Sequence, residues 1–371
     1  MKIRITRESF LKVFQIAAAV APSRSPKEIL MNVKLEVDSS GCVLTATDTE
    51  VGERLTVPDV TVEASGSAVL PVMRLNSILR ETSDETLVIE VEDARILITG
   101  SNSRFELQGQ NPDEFPEVHS FDQKDYFEVN ANVLKDLIRR TLFATDTESS
   151  RYALGGVLLE MDGDTIVAVG TDGRRLAKME GSMTTVGNPS NAGATIVPSK
   201  SMQLIERMLP DDETPIKLAA QSNDLMLEEP GGVFYTRLVE GRFPPWRDVL
   251  PKREQTHRID ISVGPMYSAI RQAAIVASED SRGIDFTFKD GSLVLNSSTA
   301  EVGQTRIEMP IAYDEEELTI TLDHRFVADF LKVLQPEKSF TFDIENGEAA
   351  AYCETDDNYG YVIMPLAKDR R

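Results

Sequence analysis

Cysteine, histidine and tryptophan are scarce in this 371-residue chain: two, three and one of each. Cys42 and Cys353 stand far apart, so no disulfide framework is expected and a reducing cytoplasm fits. His119, His257 and His324 follow no metal-ligand spacing. A cysteine pair, a Gly-x-Ser-x-Gly elbow, a phosphate-binding loop and a dinucleotide fingerprint are all missing. Asp162-Gly163-Asp164 reads as a hairpin turn, because further acidic ligands at loop spacing are not found. Clusters such as Asp314-Glu315-Glu316-Glu317 read as solvated loops. Nothing nominates a nucleophile, a general base, a metal or another cofactor. Long apolar runs are lacking too, and none approaches the roughly 20 residues that span a bilayer. The start, Met1-Lys2-Ile3-Arg4-Ile5-Thr6, alternates like a strand and does not read as a signal peptide.

What is present is an ordinary globular composition, 41% hydrophobic and 27% charged, on a chain too long for one core. It is also repetitive. Leu44-Thr45-Ala46-Thr47-Asp48 recurs as Val167-Ala168-Val169-Gly170-Thr171-Asp172, with 124 residues between the aspartates. A third version, Leu293-Val294-Leu295-Asn296-Ser297, follows about one period later, and Glu50-Val51-Gly52 recurs as Glu301-Val302-Gly303. Each copy opens with a strand and an amphipathic helix, predicted at Arg7–Ala19, Ala131–Phe143 and Gly264–Ala277. Each holds a second helix, at Val72–Glu81, Ser199–Met208 and Asp323–Leu334, in which Ile78, Ile205 and Phe330 are matching apolar positions. A period this long means tandem globular domains, not a solenoid. The expected class is α+β with antiparallel strands dominating, and the expected domains are 1–125, 126–255 and 256–371.

Charge is unevenly placed. The formal net charge is −22, yet the six predicted helices sum to +6, leaving −28 on strands and loops. Helices tolerate Lys and Arg well, so this split also fits plain solubility. The alternative is a helical surface that meets phosphate, with acidic sheets elsewhere. Few basic residues per domain imply weak holding of a duplex, without base reading. Such a protein needs another means of staying on DNA.

The most distinctive stretch is Gly170-Thr171-Asp172-Gly173-Arg174-Arg175-Leu176. Asp-Gly between strand-like runs marks a tight turn. The first copy reads Thr47-Asp48-Thr49-Glu50-Val51-Gly52-Glu53-Arg54-Leu55, so the middle copy is expected to be a compressed version with its own glycine turn. With Gly241-Arg242-Phe243-Pro244, Val249-Leu250-Pro251 and Tyr361-Val362-Ile363-Met364-Pro365-Leu366, in that order, the chain resembles the bacterial sliding-clamp family, the β subunits of DNA polymerase III.

That resemblance implies a DNA-clamp fold: a head-to-tail homodimer forming a six-domain ring, with helices lining the hole and sheets outside. It implies a non-catalytic, cytoplasmic and nucleoid-associated processivity factor with no cofactor. The implied partners are double-stranded DNA, the polymerase III α subunit, the clamp loader, other polymerases and repair proteins. A pocket for short linear motifs would use Leu154, Thr171, Gly173, Arg174, Arg175, Leu176, Pro244, Val249, Val362, Met364, Pro365 and Leu366. DNA-facing positions would be Arg24, Arg74, Arg80, Tyr152 and Lys200. The subunit joint would pair Phe105 and Leu107 with Ile275 and Val276. Asp248, where relatives often carry a basic residue, and Arg174, often His in relatives, point to an altered motif preference. So does the basic stretch Ala367–Arg371. A paralogue dedicated to repair or resistance stays open. So does a metal-dependent nucleic-acid enzyme, although no constellation for it is found.

Overall fold

The computed structural model describes residues 1–146, 148, 152–189, 195–251, 256–277, 282–299 and 302–367, without the side chain of Tyr152. Two compact units emerge. The first comprises Met1–Lys135 and Met183–Leu238, the second Asp136–Ser182 and Val239–Arg371. The middle sequence repeat therefore contributes to both.

The helices are α1 (Arg7–Val20), α2 (Val72–Glu81), α3 (Ala131–Thr141), α4 (Ser199–Met208), α5 (Val263–Ala273) and α6 (His324–Lys332). Their apolar stripes face inward, as amphipathic spacing requires. Phe10, Phe14 and Ala17 of α1 are buried, as are Leu134, Ile138 and Thr141 at the same positions of α3. Ile78, Ile205 and Phe330 each stand seventh in their helix and are buried. Helices predicted to reach Phe143 and Ala277 stop earlier, because 3-10 turns follow at Leu142–Ala144 and Ala274–Val276. Pro71 and Pro198 sit at the N-cap, ending a strand where no ladder N–H is needed. No helix among the described residues is long and apolar enough to cross a membrane.

The strands pair antiparallel. The first unit holds a five-stranded sheet in the order Val60–Ala64, Lys2–Thr6, Thr86–Glu92, Arg95–Thr99, Arg104–Gln108. Its second sheet has nine strands, and within it Gly232–Arg237 pairs with Val51–Thr56. That pairing welds the middle repeat to the first. In the second unit, Tyr359–Ile363 pairs with Arg175–Ser182 and welds the third repeat to the middle one. Gly283–Lys289, Ser292–Thr299, Gly303–Pro310 and Leu318–Asp323 form its four-stranded sheet, with Gly303–Pro310 at one edge.

The two welds share one register. Phe234 lies opposite Glu53 and Gly232 opposite Leu55 in the first; Tyr361 lies opposite Ala177 and Tyr359 opposite Met179 in the second. The turns before them also match. Thr47 donates its hydroxyl to the Val51 carbonyl, and Thr171 donates to that of Arg175, both at 2.6 Å. Thr49 has φ +82° where Gly173 has φ +84°. The expected compression of the middle copy is therefore absent. Both turns have the same length, and the Asp48 and Asp172 carboxylates accept the N–H groups of the two residues that close each turn. Those bonds hold Thr49 in the left-handed region that glycine enters freely.

Glu53 is the anomaly of the first weld. It is 1% exposed, and its Oε1 has no hydrogen-bond partner among the described residues. Burial, followed by the neighbouring Glu229 carboxylate, pushes its pKa up to about 8 from 4.5. The folded state therefore keeps a proton that the unfolded chain releases, and stability falls as pH rises from about 4.5 to about 8. Glu53→Gln should stabilise the protein increasingly across that window, by about 2 kcal/mol or more at its alkaline end at roughly 1.4 kcal/mol per pKa unit. Denaturant unfolding at pH 5 and pH 9 checks this; an equal effect at both would contradict it.

Candidate partner-binding surface

The second weld organises the surface that the motifs nominate. Beyond Ile363 the chain leaves the sheet. The Met364 N–H donates to the Arg174 carbonyl at 2.9 Å, and the Leu366 N–H donates to the Thr321 carbonyl at 2.9 Å. Met364 is thereby presented beside the Asp172–Arg175 turn with 44% of its surface exposed. Pro365 and Leu366 are half-buried. An ordinary core strand would have hidden all three.

Leu154, Pro244 and Val249 form a second group. Val249 closes a 3-10 turn, Trp246–Val249, and is 43% exposed. This turn is pinned to strand Gly156–Asp162 through Glu160, which accepts from Trp246 Nε1 at 3.2 Å and from both terminal nitrogens of Arg247. Burial works against ionisation of Glu160, but the Arg247 and Trp246 hydrogen bonds outweigh it and hold its pKa low. A Cβ on Gly241 would sit 3.7 Å from that of Ala153, so the loop before Pro244 adjoins the turn holding Leu154. Leu158 lies opposite Val169, which puts the start of Gly156–Asp162 and the end of Thr165–Thr171 at the same end of the sheet. Leu154, Thr171, Leu176 and Val362 are buried. Gly173, Arg174, Val249 and Met364 are exposed, as is Asp248 beside Val249.

The two arginines part company. Arg174 is exposed. Arg175 is spent internally, with Nε on Asp172 at 3.1 Å, Nη1 on Asp329 at 2.8 Å and Nη2 on the Phe143 carbonyl at 2.6 Å. Its guanidinium lies 4.4 Å from the Phe326 ring centroid. Burial works against its charge, yet Tyr361, Asp329 and Asp172 hold the proton more firmly than usual. Below it, Phe330 stacks on Tyr361 at 5.1 Å, and the Tyr361 hydroxyl donates to the Phe326 carbonyl. Phe143, Phe326, Asp329 and Tyr361 were not singled out as site residues by the motif reading. Only the adjacency of two arginines signalled that one needed internal partners.

Arg24, Arg74, Arg80 and Lys200 are exposed, all on the first unit. Lys200 pairs with Asp48, while none of the three arginines meets a carboxylate among the described residues. The Tyr152 side chain lies outside the described residues, as do Lys368–Arg371. Phe105 and Leu107 are half-buried on the edge strand Arg104–Gln108. Ile275 is 75% exposed and Val276 half-buried, in a turn that packs against the edge strand Gly303–Pro310. Among the described residues, no cluster of three or more His, Cys, Asp or Glu could hold a metal ion.

Three similar repeats joined by strand pairing define a tandem-domain protein of repeated α+β units. Each repeat matches one part of a single family: DNA polymerase III beta subunit N-terminal domain at residues 1–119, central domain at 128–245 and C-terminal domain at 247–367. The chain belongs to the DNA polymerase III beta subunit family. It is 30% identical over 333 residues to the beta sliding clamp of Chlamydia muridarum, covering 90% of each chain. It is 28% identical to that of Haemophilus influenzae, covering 99% of this chain and all of the relative. A solved Pseudomonas aeruginosa sliding clamp bound to griselimycin matches 99% of each chain with a TM-score of 0.91 and 28% identity. The family is a processivity factor without catalytic activity that binds DNA and polymerase III as a dimeric ring.

Removing Arg175 strands two carboxylates and a carbonyl, so Arg175→Ala should cost about 3 kcal/mol, the range for breaking a buried pair. Arg174→Ala should stay within about 0.5 kcal/mol, as exposed substitutions do. Urea unfolding of the two variants distinguishes them; equal destabilisation would refute the division of labour.

Proposed function

We propose that this chain is a replicative clamp, acting on DNA in the cytoplasm in association with the nucleoid, with domains at 1–125, 126–255 and 256–371. Short linear motifs of the polymerase α subunit, the clamp loader and repair proteins enter the slot between the Asp172–Arg175 turn, the Trp246–Val249 turn and Met364–Leu366. The observation that carries this reading is Met364, exposed yet held by its backbone to Arg174. Methionine and leucine adapt to varied aliphatic or aromatic anchors, and Arg174 is free to hold a polar or carboxylate group. Exposed Asp248 at the rim favours motifs with a basic flank.

The dimer joint follows from the internal repetition. Strands Val51–Thr56 and Arg175–Ser182 each receive a strand from the next repeat. Their counterpart Gly303–Pro310 receives none among the described residues, and Arg104–Gln108 is the counterpart of the strands that are given. A second copy supplies the missing partner, with Phe105 and Leu107 packing on Ile275 and Val276. Helices then face the duplex, with Arg24, Arg74 and Arg80 toward phosphate and Tyr152 and Lys200 as further contacts.

Loaded on nicked circular DNA, the protein should stay bound until the circle is linearised; equal loss from both substrates would overturn the reading. Met364→Ala with Leu366→Ala should weaken a polymerase-derived peptide by about 2 kcal/mol or more, the scale of hot-spot anchors. The dimer should be unchanged. Ile275→Asp should do the reverse, giving monomers by sedimentation while peptide affinity holds.

A further inference from the structure

The two welds are alike in register but not in how their flanks are filled. At the second weld, Arg140 of α3 lies against the paired strands. Its Nη1 donates to Asp357 at 2.7 Å and approaches the Met179 sulfur at 3.8 Å, and the guanidinium lies 5.3 Å from the Tyr359 ring centroid. α1 and α3 begin at equivalent positions, Arg7 and Ala131, so the counterpart of Arg140 is Ile16. Met179 corresponds to Leu55 and Tyr359 to Gly232, because each pair is matched in the shared register.

Where the second weld has a guanidinium, the first therefore has a shorter apolar residue and a glycine. The space is open. A cavity of about 330 Å³ lies there, lined by Val13, Ile16, Leu55, Met208, Glu229 and Pro230. That is the lower end of the roughly 300–1,000 Å³ of small-ligand sites. Its walls are largely apolar, and Glu229 contributes one carboxylate. Among the described residues no Lys or Arg pairs with Glu229. Burial, and more weakly Asp212, push the Glu229 pKa up against the hydrogen bond that its carboxylate accepts from the Gly231 N–H, as expected of a carboxylate kept from water without a cation.

We propose that this cavity binds an arginine side chain presented by a partner peptide, its stem along Ile16, Leu55 and Met208 and its guanidinium on Glu229. The occupant repeats from outside what Arg140 does from within at the second weld. A carboxylate at the end of an apolar slot matches a planar cation on an aliphatic stem, which sheds water more readily than an ammonium.

The full-length protein would be titrated with the peptide acetyl-Gly-Arg-Gly-amide, and with norleucine or citrulline in place of arginine. Methyl NMR of Val13, Ile16, Leu55 and Met208 reads the binding. The arginine peptide should shift these methyls saturably, and the two neutral peptides at least tenfold more weakly. Glu229→Gln should weaken the arginine peptide about tenfold. Ile16→Arg, which supplies the guanidinium internally, should abolish binding and raise the melting temperature. Equal binding of the neutral peptides, or no shift with any peptide, would overturn the proposal. An undiminished response in Glu229→Gln would overturn it equally, whether or not Ile16→Arg folds.

Discussion

Open strand edges are the constraint on which this protein depends. Each repeat builds sheets whose edge strands carry unpaired N–H and C=O groups, and such an edge pairs with whatever strand is offered. The chain resolves this by giving Gly232–Arg237 to Val51–Thr56 and Tyr359–Ile363 to Arg175–Ser182, in the same register. Three repeats in a row can make only two such welds. One acceptor edge and one donor edge remain, and a head-to-tail contact between copies is the interaction that uses both. In the proposed joint, assembly is thus the third instance of a bond the chain already makes twice.

Sharing a register did not force the welds to share a chemistry. The fourth turn residue is exposed Glu50 in the first repeat and exposed Arg174 in the middle one, and the fifth is buried Val51 against hydrogen-bonded Arg175. Beyond the turns, Glu53 and Phe234 at one weld correspond to Ala177 and Tyr361 at the other. The second weld is consolidated by Arg175, Arg140 and stacked aromatics, so its rim can expose Met364 and Val249 without loosening the joint. A docking slot needs rigid walls, because ordering them at the moment of binding would subtract from affinity.

The helices were legible because amphipathic spacing is local: six were anticipated, with some ends displaced, most at Ala273, where a 3-10 turn takes over. The repeat was legible as well, through the apolar positions that became Ile78, Ile205 and Phe330. Strand pairing across repeats was not, since it joins segments about 180 residues apart and leaves no periodic trace. The turn comparison failed for a related reason. Gly173 advertises a left-handed conformation, whereas Thr49 reaches the same φ only because Thr47 and Asp48 fix the backbone around it. The twin arginines were visible, but their opposite fates depend on Phe143, Phe326 and Asp329, brought in from distant elements.

The net charge of −22 now has a place in the mechanism. A protein that held DNA by attraction alone would need many free cations, because affinity grows with the number of phosphates neutralised. Of the positions proposed to face DNA, Lys200 is already paired with Asp48, and Arg24, Arg74 and Arg80 are exposed without a carboxylate partner among the described residues. Contacts this few, made to phosphate and blind to sequence, hold a duplex loosely at every position alike. Loose holding impedes translation little, but it cannot by itself prevent escape. Retention must then come from closure, and in the proposed joint closure rests on the strand edges that the chain leaves open.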